Sequence, residues 1–288
     1  MRNFILDTDW WTDCDDAVAI RLLCNAHLLK KVNLLGININ ACMVDSIPSL
    51  DVFTRDCKVD VPLGIDHSAV NFAGKPSYQK NLAARAPKRF NCDVPDSTDF
   101  YVQLLENAED NSVELLSIGF TQCLASLLKT PEHKALVQKK VTHLWIMAGK
   151  WDEAGGKEYN FYKNEMTRIS GSELCANWPT PITFLGYEIG VTVITAGNLP
   201  EGDLLQMVMR DHGSINGRCS WDPMLVNMAI IGSPEDAGYN AVYGYASVDP
   251  SDGSNTFKID PAGPHRYVVK KYDDSFYAEA IDSQLILK

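Results

Sequence analysis

The sequence predicts an α/β fold: a doubly wound, mostly parallel sheet with helices on both faces, formed as a single domain over residues 1–288. Short runs rich in Ile, Leu and Val alternate along the chain with segments whose apolar residues recur at three- and four-residue spacing. The apolar runs end in Gly, Asp or Asn, as buried parallel strands do where they reach loops. No internal repeat, low-complexity tract or linker rich in Pro, Gly and Ser divides the chain, whose 45% hydrophobic content is enough for one sizeable core.

Taken in order, "NFILDTD", "VNLLGININ", "VELLSIGF", "HLWIMAG" and "PITFLGYEI" predict strands. Between them, "DDAVAIRLLCNAHLL", "SIPSLDVFTRDCK", "STDFYVQLLENAED" and "TQCLASLLKTPEHKALVQ" predict helices, with Ser46 and Ser97 as candidate caps. Beyond about residue 230 the pattern weakens into Gly, Asp, Tyr and Pro. The C-terminal part, about 231–288, therefore reads as irregular strands and loops with a closing helix near "DDSFYAEAIDSQLI".

A net charge of -11 disfavours nucleic acid and anionic membranes, which demand a basic face, and favours a small neutral or cationic ligand. No apolar run reaches the ~18 to 20 residues of a membrane span, and the N-terminus lacks a signal-peptide pattern, so a soluble, cytoplasmic protein is expected. The eight cysteines form no CxxC pair and lie mostly in apolar stretches, which fits a reducing compartment, although removal of a signal would leave the same pattern. A homo-oligomer is compatible with the sequence.

The densest chemistry lies in "FILDTDWWTDCDDAVAI", which packs Asp7, Asp9, Asp13, Asp15 and Asp16 into ten positions after an apolar strand. In open α/β sheets ligands bind beyond the carboxyl ends of the strands, where this cluster falls. Five carboxylates converging in a dry site require a counter-ion, and hard oxygens suit calcium or magnesium. Capping of the following helix by Asp13 or Asp15 accounts for one carboxylate and not for five. Trp10 and Trp11, unusual in an acidic loop, are expected to pack the loop or wall a pocket.

These residues resemble the N-terminal signature of the calcium-dependent nucleoside hydrolases, in which DTD, a spacer and DDA precede an apolar helix. Further stretches follow in the family's order: "LLGININ", "LLSIGFTQCLASLL" at an IGPLTNLA-like turn, "WIMAGKW", "KEYNF" at the EFN position and "SWDPM" at the HDP position. The resemblance covers most of residues 4–230. It implies that Asp9, Asp16, Asp222 and the main-chain carbonyl of Gln122 bind Ca2+, and that Asp9 also takes a proton from a calcium-bound water. It further implies that Asp15, Glu158 and Asn160 bind the ribose hydroxyls, with Asp7 supporting the metal loop. The reaction would be hydrolysis of the N-glycosidic bond of a ribonucleoside. An oxocarbenium-like sugar needs nearby negative charge and a water delivered to the anomeric carbon, and calcium activates water weakly enough that a carboxylate base is needed too.

The departures from the family pattern bear on the leaving base. Trp221 stands where many members have a histidine, similar to the purine-preferring branch, whose tryptophan stacks on the base. Cys123 replaces the asparagine of the TNLA-like turn. Met43 falls where an AGN-like asparagine would be, with Asn38 and Asn40 as alternative replacements. His212 and His265 lie in loop-like sequence within possible reach of the site. Two other functions fit the sequence less well. A phosphatase of the DxDx(T/V) type fails at Trp11, and a calcium-dependent nucleoside- or sugar-binding protein without turnover would not need every carboxylate of the cluster.

Overall fold

The computed structural model describes residues 1–70, 74 and 76–287. Among them, ten strands form one sheet in the order β3-β2-β1-β4-β5-β7-β12-β10-β11-β6. These are β1 (Arg2–Thr8), β2 (Val32–Ile39), β3 (Leu63–Ile65), β4 (Val113–Ile118), β5 (Val141–Met147), β6 (Gly156–Lys157), β7 (Ile182–Leu185), β10 (Tyr239–Val248), β11 (Ser254–Ile259) and β12 (His265–Lys270). A separate two-stranded ribbon pairs β8 (Ile194–Thr195) with β9 (Arg218–Cys219). From β3 through β12 neighbouring strands run parallel, while β10, β11 and β6 join antiparallel. The C-terminal stretch, expected to be irregular, thus forms regular strands, of which β12 extends the parallel sheet and β10 and β11 add to it antiparallel.

The parallel strands are covered on both faces, and the alternation of side chains shows how. Phe4 and Leu6 of β1 belong to one apolar core with Trp145 and Met147 of β5, whereas Ile5, Leu144 and Ile146 belong to the other. The first core takes helices α1 (Asp15–Leu28), α2 (Ser46–Asp56), α10 (Leu204–His212) and α11 (Trp221–Ile231). The second takes α4 (Ser97–Glu106), α5 (Gln122–Ser126), α6 (Pro131–Lys140) and α8 (Glu165–Asn177). Shorter helices α3 (Gln79–Ala83), α7 (Tyr159–Tyr162) and α9 (Tyr187–Gly190) lie in the connections, and α12 (Asp274–Asp282) closes the chain.

Two further expectations need correction. "TQCLASLLKTPEHKALVQ" forms two helices, because Pro131 starts α6 and the Thr130 side chain caps it by accepting from the His133 amide at 3.2 Å. Ser46 and Ser97 are the first helical residues, not the caps. Asp45 and Asp96 precede them, and the serine hydroxyls bond instead to Ala41 O and Asn38 Oδ1. Among the described residues, no helix is long and apolar enough to cross a membrane.

The strand order reverses at β1, which lies between β2 and β4, so the loop after β1 opens at the topological switch point. Trp10 anchors that loop. It is fully buried with φ +44°, its ring packs 5.4 Å from Phe53 and 5.2 Å from Tyr78, and its Nε1 donates to Ser49 Oγ at 2.8 Å. Its carbonyl accepts from the Gln79 side chain. Trp10→Ala should therefore destabilise the protein by about 3 to 5 kcal/mol in chemical denaturation, the usual scale for emptying a buried aromatic site. A loss below about 1 kcal/mol would show that the loop is held by other contacts.

Candidate active site

Sequence and topology bring the acidic cluster to one cavity of about 340 Å³. Its walls include Asp9, Asp13, Asp15 and Asp16 from the first loop and helix, Glu158 and Asn160 from the α7 turn, and Trp221 and Asp222 from the start of α11. Thr12, from the spacer of the first motif, also lines the cavity, and Ile118, Met147, Tyr159 and Tyr187, which carry no functional signal in the sequence, complete the lining. Trp10 and Trp11 are both buried and neither lines the cavity.

Two helix N-termini converge here. Asp15 and Asp16 occupy the first turn of α1 and Asp222 the first turn of α11, where main-chain amides and the helix dipole favour negative charge. The Asp222 amide donates to Asp15 Oδ2 at 3.2 Å, joining the two ends. Cys14 is the α1 cap residue, so neither Asp13 nor Asp15 has that role. One carboxylate oxygen from each of Asp15, Asp16 and Asp222 lies within 4.8 Å of the others. Asp15, for which the resemblance implies a sugar-binding role, lies within this same group.

Asp9 stands beside the triad, its Oδ1 accepting from the Trp11 amide at 3.2 Å. Asp16 Oδ1 accepts from the Thr8 hydroxyl and from the Trp10 amide. The approach is close enough that a Cβ on Gly119 would come within 2.4 Å of the Asp9 nitrogen, so only glycine fits after β4. Asp7 lies deeper and outside the lining, with Oδ1 accepting from Asn38 at 2.9 Å and Asn40 at 3.1 Å. Asn40 Oδ1 accepts in turn from the Phe120 amide at 3.1 Å, which ties the ends of β1, β2 and β4 together. Both asparagines are thus spent on this support, and neither is among the cavity-lining residues.

Glu158 caps α7, with Oε1 accepting from the Asn160 amide at 2.9 Å and Oε2 from the Gly149 amide at 3.0 Å. Asn160 donates its side-chain amide to Met147 O at 2.9 Å, which fixes the group in the wall. Gln122 begins α5 and is not among the residues lining the acidic cavity; its side chain donates to Asn40 O at 2.6 Å, and the residue lines a second cavity. His265 is held on β12, accepting from the Ala246 amide, and lies outside the lining.

Burial pushes Asp9 up to about 8; the Trp11 amide pulls it back, and Asp15, Asp13 and Glu158 add to the rise. Asp15, Asp16 and Asp222 are all pushed well above the carboxylate range by burial and then by their acidic neighbours. Glu158 rises to about 7 through burial, opposed by the amides of Asn160, Gly149 and Tyr159. The lining contains no Lys, Arg or His, and Arg218, which stands outside it, offsets Asp15 only in part. Hard oxygen donors crowded in this way fit a divalent cation such as calcium.

Trp221 forms the aromatic side of the cavity. Its ring lies 5.5 Å from Tyr187 with the planes 24° apart, and its Nε1 donates to Tyr187 O at 2.7 Å. Gly190 lies against it, since a Cβ there would come within 2.7 Å of Trp221 Cα.

No family model matches the sequence, and no curated protein sequence matches it. Solved structures do. A plant nucleoside hydrolase, the PpNRh1 enzyme, is 16% identical with a TM-score of 0.72 over 99% of this chain and 98% of that one. A purine-preferring ribonucleoside hydrolase from Gardnerella vaginalis is 17% identical with a TM-score of 0.73 over 99% of each chain. The type III effector protein XopQ, in complex with adenosine diphosphate ribose, is 12% identical with a TM-score of 0.72 over 99% of this chain and 93% of that one. The chain therefore has the fold of the nucleoside hydrolases.

Proposed function

We propose that the protein hydrolyses the N-glycosidic bond of ribonucleosides, with purine nucleosides preferred. The observation that carries this is the cavity itself, lined both by a group of buried carboxylates and by a tryptophan–tyrosine pair, on a nucleoside hydrolase fold. A ribonucleoside has the matching polarity, with a diol at one end and a flat base at the other. A calcium ion held by Asp9, Asp16, Asp222 and the Gln122 carbonyl would supply an anchor for the sugar hydroxyls and polarise the attacking water.

The chain's own groups perform the remaining steps. Asp15, Glu158 and Asn160 bind and orient the ribose hydroxyls, and Asp9 accepts the proton of the water that attacks the anomeric carbon. The surrounding carboxylates stabilise positive charge on the sugar as the bond breaks. Trp221 stacks on the departing base. With aspartates and no basic residue in the lining, a neutral nucleoside fits better than a diphosphate such as the adenosine diphosphate ribose of the XopQ complex. Asp9 distinguishes turnover from binding alone, since anchoring a diol needs no proton acceptor.

Incubation with inosine, adenosine, guanosine, uridine and cytidine, followed by a reducing-sugar assay, tests the proposal directly. Purine nucleosides should be cleaved with the higher kcat/KM, and Trp221→Ala should lower that value by roughly tenfold to a hundredfold, the scale of losing one base–aromatic stack. Release of no sugar from any of the five would refute hydrolysis, and faster cleavage of uridine would refute the purine preference.

Two further outcomes separate the carboxylates. Asp9→Asn should reduce kcat by ~100-fold or more while changing KM less, because it keeps an oxygen but removes the proton acceptor. Near-native turnover would remove Asp9 from the reaction. Calcium should raise the melting temperature of chelator-treated protein, corresponding to about 2.7 kcal/mol at a hundredfold excess over Kd, and restore activity. A melting curve indifferent to both chelator and calcium would contradict a resident ion.

A further inference from the structure

We infer that Arg218 is a positioning residue that latches the aromatic base platform to the aspartate loop, and so sets the spacing between the base and ribose ends of the site. The inference rests on the nucleoside reading above and names a specificity device within it. Arg218 lies on β9, 205 residues from its partner Asp13. Its Nε donates to Asp13 Oδ1 at 2.9 Å and its Nη2 to Asp13 Oδ2 at 2.6 Å, a fork that fixes both distance and plane. The same guanidinium stands 5.5 Å from the ring centroid of Trp221. Asp13 in turn accepts from the Cys14 amide at 2.7 Å, immediately before the helix that presents Asp15 and Asp16.

One side chain therefore touches both halves of the site. The loop carrying Asp13 leads directly into Asp15, one of the ribose-binding carboxylates, and Trp221 supplies the base platform. The pair is about a third exposed on each side, so its contribution to global stability is small. What it does fix is where the indole lies relative to the carboxylates. A purine, stacked on the platform while its ribose is held by the loop, depends on that spacing more than ribose alone does.

Arg218→Met removes charge and fork while keeping much of the side-chain volume. It should raise KM for inosine about tenfold, with kcat within about twofold and inhibition by free D-ribose unchanged. Asp13→Asn should also raise KM, and the double variant should be no worse than the poorer single one, because both remove the same latch. Arg218→Lys, a charge without the fork, should recover only part of the loss. A KM within twofold of the parent, an equal loss of ribose binding, or additive effects in the double variant would overturn the inference.

If the parent protein cleaves no nucleoside, the functional reading fails and the latch is tested through Trp221 itself. The emission that Trp221→Phe removes should become more accessible to quenching by acrylamide, a neutral quencher, in Arg218→Met. Unchanged quenching would overturn the latch independently of any activity.

Discussion

The structure depends on one electrostatic constraint: several carboxyl groups share a buried pocket that has no basic residue in its lining. Each raises the proton affinity of the next, and burial raises them all. Such a cluster persists only where main-chain dipoles, neutral hydrogen-bond donors or a cation offset the repulsion. The fold supplies the first two, and from outside the lining the Arg218 guanidinium offsets Asp13 and, in part, Asp15. The N-termini of α1 and α11 face the cluster, the amides of Trp10, Trp11, Gly149 and Asn160 donate into it, and Asn38 and Asn40 support Asp7 beneath it.

The rest of the architecture keeps those donors in place. The reversal of strand order at β1 opens a crevice, Gly119 lets the loop after β4 press against Asp9, and buried Trp10 pins the acidic loop to the α2 side of the core. In the proposed reaction the same negative charge stabilises the sugar as the glycosidic bond breaks. A feature costly to the folded state is thus the one the chemistry uses, a common trade at functional sites.

Much of this was legible in the sequence because the site's chemistry is concentrated in short stretches. The first strand and its aspartates are contiguous, and Glu158, Asn160, Trp221 and Asp222 fall in two compact motifs, all of which meet at the cavity. The strand and helix alternation was equally plain through β5, apart from the break at Pro131, where a local backbone restriction overrode an apolar period, whereas α8, α10 and α11 were not among the predicted helices. Tyr187, Tyr159 and Met147 carried no such signal, since a lone aromatic or methionine reads as core. The Arg218–Asp13 pair joins positions too distant for any periodicity to link. In "YNAVYGYASV" the signal lay in alternation, weakened by glycine and by tyrosines that face solvent in β10.

The most direct test of this electrostatic account is a crystal structure of the protein grown with calcium, with the ion located by its anomalous scattering. The account predicts one ion in the acidic cavity, about 2.3 to 2.6 Å from carboxylate oxygens of Asp9, Asp16 and Asp222. Calcium bound only elsewhere, or a well-ordered cavity in which these carboxylates face one another with no cation between them, would contradict it.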